Sequence, residues 1–124
     1  MPNPIAQFAN AKYLNLETFR NSGVGVRTPV WFAQDQNTFF VYTESDAGKV
    51  KRIRNNPRVR IAPCDLRGNL RGAWIDARAH ICEGPEASRG QEMLRRKYGW
   101  MKIIGDFFSR LRGHKQAMIA VEVN

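Results

Sequence analysis

The sequence predicts a mainly β fold: a small antiparallel β-barrel with added helices. Three observations point there. The first two-thirds alternates apolar and polar residues with a period of two, as strands exposing one face do. Turn-forming clusters recur between these runs, at Asp35-Gln36-Asn37, Asn56-Pro57, Leu66-Arg67-Gly68-Asn69 and Gly84-Pro85. Helical spacing of apolar residues becomes dominant only beyond Glu86.

Taken in order, Leu14 to Phe19 reads as a half-buried strand. In the next strand, Val24 to Phe32, Val24, Val26, Thr28, Val30 and Phe32 share one face, and Arg27, Pro29 and Trp31 the other. Ser22-Gly23-Val24-Gly25 marks a hairpin turn. After the turn at 35–37, Thr38 to Thr43 returns as a strand, so the pair is expected to form a hairpin. Ser45 or Asp46 is the expected N-cap of a short helix through Arg54, stopped at Asn56-Pro57. Val59 to Ala62 and Ala73 to Ile81 read as strands, the latter with Trp74, Asp76, Arg78 and His80 on its polar face. Met93, Leu94, Lys97 and Tyr98 fall at helical spacing, with a second apolar stripe of Ile103, Ile104, Phe107, Phe108 and Leu111. Met118 to Val123 closes the fold as a strand.

With 124 residues, 43% hydrophobic and 25% charged, the chain has the composition of one folded domain spanning 1–124. No run approaches the ~18 apolar residues of a membrane helix, and the N-terminal stretch lacks a cationic start followed by an apolar run. Cys64 and Cys82 match neither a disulfide framework nor a metal knuckle, so a reduced, cytoplasmic setting is expected. The net charge of +9 comes mainly from two blocks. Lys49 to Arg71 carries eight basic residues against Asp65, and Arg89 to Lys115 carries eight against Glu92 and Asp106. Such blocks mark either an anion-binding surface or a solvated cationic face.

The chemistry-bearing candidates lie on the second strand and the short helix. Gly48, Lys49 and Lys51 sit where a helix N-terminus would offer unpaired N–H groups to a phosphate. The alternative is an exposed basic helix. Arg27 and Trp31 share a strand face where a guanidinium could meet a phosphate and an indole could stack on a planar ring; Trp31 could instead pack on a helix or another subunit. His80 and His114 have no partner at metal-ligand spacing, so no metal is expected. No acid–base pair or nucleophile arrangement stands out, so any redox chemistry would reside in a cofactor. The basic character also admits a nucleic-acid-binding barrel, but its aromatics are not interleaved with Lys and Arg as a stacking platform would be.

The segments Arg27-Thr28-Pro29-Val30-Trp31-Phe32, Phe40-Val41-Tyr42-Thr43 and Gly48 to Val59 resemble the pyridoxamine 5′-phosphate oxidase-like flavoproteins. Within them the chain is most similar to the small actinobacterial-type branch associated with the deazaflavin F420; Ile61 to Asp65 and Tyr98-Gly99-Trp100 extend the likeness. The resemblance implies a six-stranded antiparallel split barrel of the FMN-binding type. It further implies a homodimer with F420 or FMN bound at the subunit interface, and hydride transfer to or from a small organic substrate. Residues matching Arg27, Lys49 and Lys51 would hold the cofactor phosphate, and Arg54 would extend that seat. Those matching Thr28, Pro29 and Val30, with Trp31, would line the ring, and those matching Tyr42 and Thr43 the ribityl–phosphate portion. By its length the chain is not expected to carry the C-terminal substrate-binding extension of the vitamin B6 oxidases, so their reaction is not expected of it. Storage of a cofactor without turnover is the alternative.

Overall fold

The computed structural model describes residues 4–44, 47–98 and 116–124. A short 3-10 turn, Pro4–Phe8, precedes β1 (Tyr13–Phe19), β2 (Gly25–Trp31), β3 (Ala33–Asp35) and β4 (Thr38–Glu44). Helix α1 (Gly48–Asn55) is followed by β5 (Arg58–Cys64), β6 (Ile75–Cys82), helix α2 (Pro85–Tyr98) and β7 (Gln116–Glu122). The strands form one antiparallel sheet in the order β2-β1-β5-β6-β7-β4-β3. Among the described residues no helix is long and apolar enough to cross a membrane.

The mainly β class with two helices is as the sequence predicts, but the sheet has seven strands instead of six and does not close. The difference originates at Phe32. Phe32 keeps the inward side shared by Val26, Thr28 and Val30 and is fully buried, but the ladder with β1 stops at Trp31. Its N–H donates to the Tyr98 hydroxyl at 3.3 Å, and its carbonyl accepts from the same hydroxyl at 2.8 Å, so neither joins a ladder. The strand splits there. β2 pairs with β1, with Tyr13 opposite Trp31, and the short β3 makes the hairpin with β4 that the whole run was expected to make. The β1–β2 turn falls at the predicted Gly-x-Gly: Gly23 has φ 90°, and its N–H donates to the Arg20 carbonyl at 2.8 Å.

Strand β1 is buried on both faces, where one was expected. Leu14 and Leu16 point into the main core, while the 65–74 segment covers Asn15 and Glu17 on the other side. Helix α1 presses Val50 and Ile53 into that core. Ala47, in extended conformation and with no side-chain cap, occupies the N-cap position; the expected caps Ser45 and Asp46 lie outside the described residues. Asn56 ends the helix before Pro57, as predicted.

Helix α2 buries Gly90, Leu94 and Tyr98, one residue per turn, over a second apolar cluster that includes Ala33, Phe40 and Met118. The predicted Leu94 and Tyr98 are there, and Gly90 joins them because the helix lies close to the sheet. A Cβ at Gly90 would come within 2.7 Å of Phe40 and 2.9 Å of Met118. The second predicted stripe, Ile103 to Leu111, lies outside the described residues. Gly90→Ala is therefore expected to lower stability by about 1–3 kcal/mol, despite alanine's helix preference of about 1 kcal/mol over glycine. Denaturant unfolding of the two proteins measures it.

Candidate functional site

Where β2 departs from β3, the two ends of the open sheet curl towards each other, and β2 meets β4 with no ladder between them. A cleft of about 240 Å³ occupies this seam. Thr28, Pro29, Val30 and Trp31 of β2 form one wall, and Tyr42 and Thr43 of β4 the other. Lys49 enters from the first turn of α1, and Tyr13 and Leu66 complete the lining. The walls are thus largely apolar and aromatic, with two threonine hydroxyls and one cation. Among the described residues the lining contains no carboxylate and no histidine.

The local sequence explains each position. Strand β2 has β1 on one side only, so its other backbone edge faces the seam, and Pro29, which lacks an N–H, is tolerated there. Trp31 leans on Tyr98 of α2, the ring centroids 6.3 Å apart. Leu66 is 63% exposed at the tip of a turn built by Asp65, whose carboxylate accepts from the N–H groups of Arg67 and Asn69, each at 2.9 Å. Those bonds, led by the one from the Asn69 side chain, hold the Asp65 carboxyl below its ordinary pKa. Burial pushes the Lys49 ammonium down, Arg52 adds to the effect and Glu44 partly offsets it. Burial raises the Tyr42 phenol.

Seven of the sequence-selected residues therefore share one cleft: Thr28, Pro29, Val30, Trp31, Tyr42, Thr43 and Lys49. Three do not line it. Lys51 and Arg54 lie two and five positions beyond Lys49, on other sides of α1, and line separate hollows with Arg20 and Arg52, and with Pro57 and His80. Arg27 donates from Nε to Glu17 Oε2 at 2.9 Å, its guanidinium 5.0 Å from the Trp74 ring. Arg60 makes the matching contacts, 2.5 Å to Glu17 Oε1 and 5.0 Å to Trp74. Sequence reasoning missed Tyr13 and Leu66. An apolar side chain in a polar turn is the available signal for Leu66; Tyr13 emerges only from its register opposite Trp31. A further hollow of about 410 Å³ adjoins the cleft through these same two residues, with Gln7, Lys12 and Arg71 on its far side.

Glu17 is the acid that organises this flank. Burial raises its pKa, but the hydrogen bonds from Arg60 and Arg27 outweigh burial, and the carboxyl lies below its usual 4.5. A carboxyl depressed on folding adds stability above its unfolded pKa, and that stability is lost as pH falls through the folded value. Glu17→Gln is expected to cost about 1–3 kcal/mol at neutral pH. It should also flatten the acid limb of the stability curve below about pH 4.5, where the wild type falls more steeply. Urea midpoints across that range provide the measurement.

Comparison with known proteins matches the pyridoxamine 5′-phosphate oxidase family model to residues 5–123. No curated protein sequence matches. Among solved structures, the heme storage protein HutZ of Vibrio cholerae superposes with a TM-score of 0.69 at 18% identity, over 97% of this chain and 87% of its own. A conserved hypothetical protein of Mycobacterium tuberculosis gives 0.68 at 23% identity, over 94% and 76%. An F420-H2-dependent reductase gives 0.66 at 14% identity, over 90% and 94%. These likenesses establish the split-barrel fold.

Proposed function

The chain belongs to the pyridoxamine 5′-phosphate oxidase family, and from that premise we propose that it is an oxidoreductase using F420 or FMN, with F420 preferred. One observation carries the reading: seven residues chosen from sequence converge on a single aromatic-walled cleft with one lysine at its edge. The F420-H2-dependent reductase among the structural neighbours lends further support. A planar, phosphate-bearing group suits these walls. Trp31 and Tyr42 offer apolar flanks, the outer edge of β2 offers backbone groups to ring heteroatoms, and Lys49 offers the cation.

Bound F420 or FMN would supply the hydride chemistry. The chain's own contribution is to bind, orient and keep water out. Lys49, desolvated and beside Arg52, gains most from an arriving anion, because a phosphate restores the charge balance that burial removed. The apolar side chains of Val30 and Leu66 narrow the cleft against solvent. At about 240 Å³ the cleft is smaller than the roughly 300–1,000 Å³ of a complete ligand site. This supports a homodimer in which a second subunit completes the groove along β2. The adjoining hollow past Tyr13 and Leu66 offers the approach for a small organic substrate. Cofactor retention without turnover is the second reading, favoured by a lining that among the described residues has no histidine or carboxylate, and by the heme storage neighbour.

Titration of the purified protein with F420 and with FMN, followed by fluorescence, tests the assignment. Micromolar binding of F420 is expected; FMN binding alone overturns the preference, and binding of neither overturns the function. Bleaching of the bound cofactor by candidate substrates separates turnover from retention. Lys49→Met should weaken cofactor binding by about 10- to 100-fold, as loss of one charge-assisted contact does. It should also raise the melting temperature, since the fold disfavours the buried ammonium. Because Lys49 titrates below its ordinary value and only the ammonium attracts phosphate, wild-type affinity should fall as pH rises towards 10.5, and the Met variant should lack that limb.

A further inference from the structure

The corner between β6 and α2 brings His80 and Cys82, to which the sequence gives no partner, together with Glu86. His80 and Cys82 are two residues apart on a strand and so share a face. Gly84, at φ 59°, reverses the chain, Pro85 opens α2, and Glu86 in the first helical turn returns its carboxylate to that face. His80 Nε2 lies 2.8 Å from Glu86 Oε1, and the Cys82 thiol hydrogen-bonds the same carboxylate. One nitrogen, one sulfur and one oxygen donor all lie within 4.8 Å of one another.

We propose that His80, Cys82 and Glu86 form a binding site for a divalent transition metal of the zinc type. Tetrahedral zinc with bonds of about 2.0–2.3 Å sets neighbouring donors about 3.3–3.8 Å apart, so rotation of the half-exposed His80 and Glu86 side chains closes the set around an ion. A mixed imidazole, thiol and carboxylate set selects zinc over magnesium or calcium, which take oxygen donors. Three protein donors leave a fourth position for water.

The surroundings favour a cation. Burial, with Glu86 of α2 and Glu122 of β7 facing it, pushes the Cys82 thiol up to about 12. A dication inverts that balance. On binding, the Cys82 S–H bond breaks, the sulfur pair forms the metal bond and the proton leaves to solvent, with no change in oxidation state. Arg54 and Glu83 line the neighbouring hollow beside His80. Cys82 also belongs to the cluster against which Trp31 and Tyr42 pack, so the site backs onto the cleft wall.

The test uses the full chain, reduced and stripped with chelator, titrated with Co²⁺ as the spectroscopic stand-in for Zn²⁺. One equivalent is expected to produce a thiolate-to-cobalt charge-transfer band that Zn²⁺ displaces. The chain has two cysteines, so the assignment is clean: Cys82→Ser should abolish the band and Cys64→Ser should keep it. His80→Ala and Glu86→Gln should each weaken Co²⁺ by about tenfold or more. Absence of the band, or its survival in Cys82→Ser, overturns the site. If circular dichroism shows Cys82→Ser unfolded, the two partly exposed positions decide: unchanged Co²⁺ affinity in both His80→Ala and Glu86→Gln overturns it equally.

Discussion

Phe32 is buried in the middle of what would otherwise be one continuous strand, and the open sheet depends on the break in the ladder there. Its ring packs edge-on to Phe8 at 5.9 Å and tilted to Phe39 at 5.8 Å, with the Lys97 ammonium 3.5 Å from the ring centroid on another side. Between β2 and β3 its backbone leaves the ladder, and a buried N–H or carbonyl without a partner is costly. The Tyr98 hydroxyl meets that need. It also reaches the Lys12 carbonyl at 2.6 Å, so the end of α2 is tied to both the entry of β1 and the β2–β3 break. Sheet opening, helix docking and the cleft between β2 and β4 are thus one arrangement.

The positive charge distributes itself differently from what its sequence blocks imply. Arg27 and Arg60 close on Glu17 across Trp74, and Arg52 donates to Thr18 Oγ1 at 2.6 Å. Arg71 lies 3.8 Å from Asp65, Arg96 lies 3.3 Å from Glu92, and Arg89 pairs with Asp35. Exposed pairs of this kind contribute little individually. Glu17, which is only 3% exposed, is the exception, because its carboxylate lies away from water with two guanidiniums holding it. Much of the basic character therefore serves the fold's own acids, and among the described residues the cleft is left with one cation, Lys49.

Most elements were legible because their signals are local. Alternation placed β1, β5 and β6, the closing run from Met118 placed β7, Asn56-Pro57 stopped α1, and the spacing of Leu94 and Tyr98 marked the buried side of α2. The β2–β4 hairpin was misread because nothing local distinguishes Phe32 from the alternating residues before it. Its backbone leaves the ladder for the Tyr98 hydroxyl, 66 residues away, which no local pattern shows. The same limit applies to Gly90, whose need for a missing side chain arises from Phe40 and Met118.

By itself the sequence determined the class of fold and most of its elements, since period and turn chemistry are properties of neighbouring residues, while the residues between Thr28 and Lys49 that line the candidate cleft were marked chiefly by the family resemblance. Tertiary structure decided which side chains share a space. It separated Arg27, Lys51 and Arg54 from Lys49, because positions along a helix diverge by about 100° per residue and because Glu17 captures the nearest guanidinium. It added Tyr13 through strand register, and it brought Glu86 to His80 and Cys82 through a glycine-hinged corner. Those juxtapositions depend on chain reversals and on burial against distant partners, which no local pattern encodes.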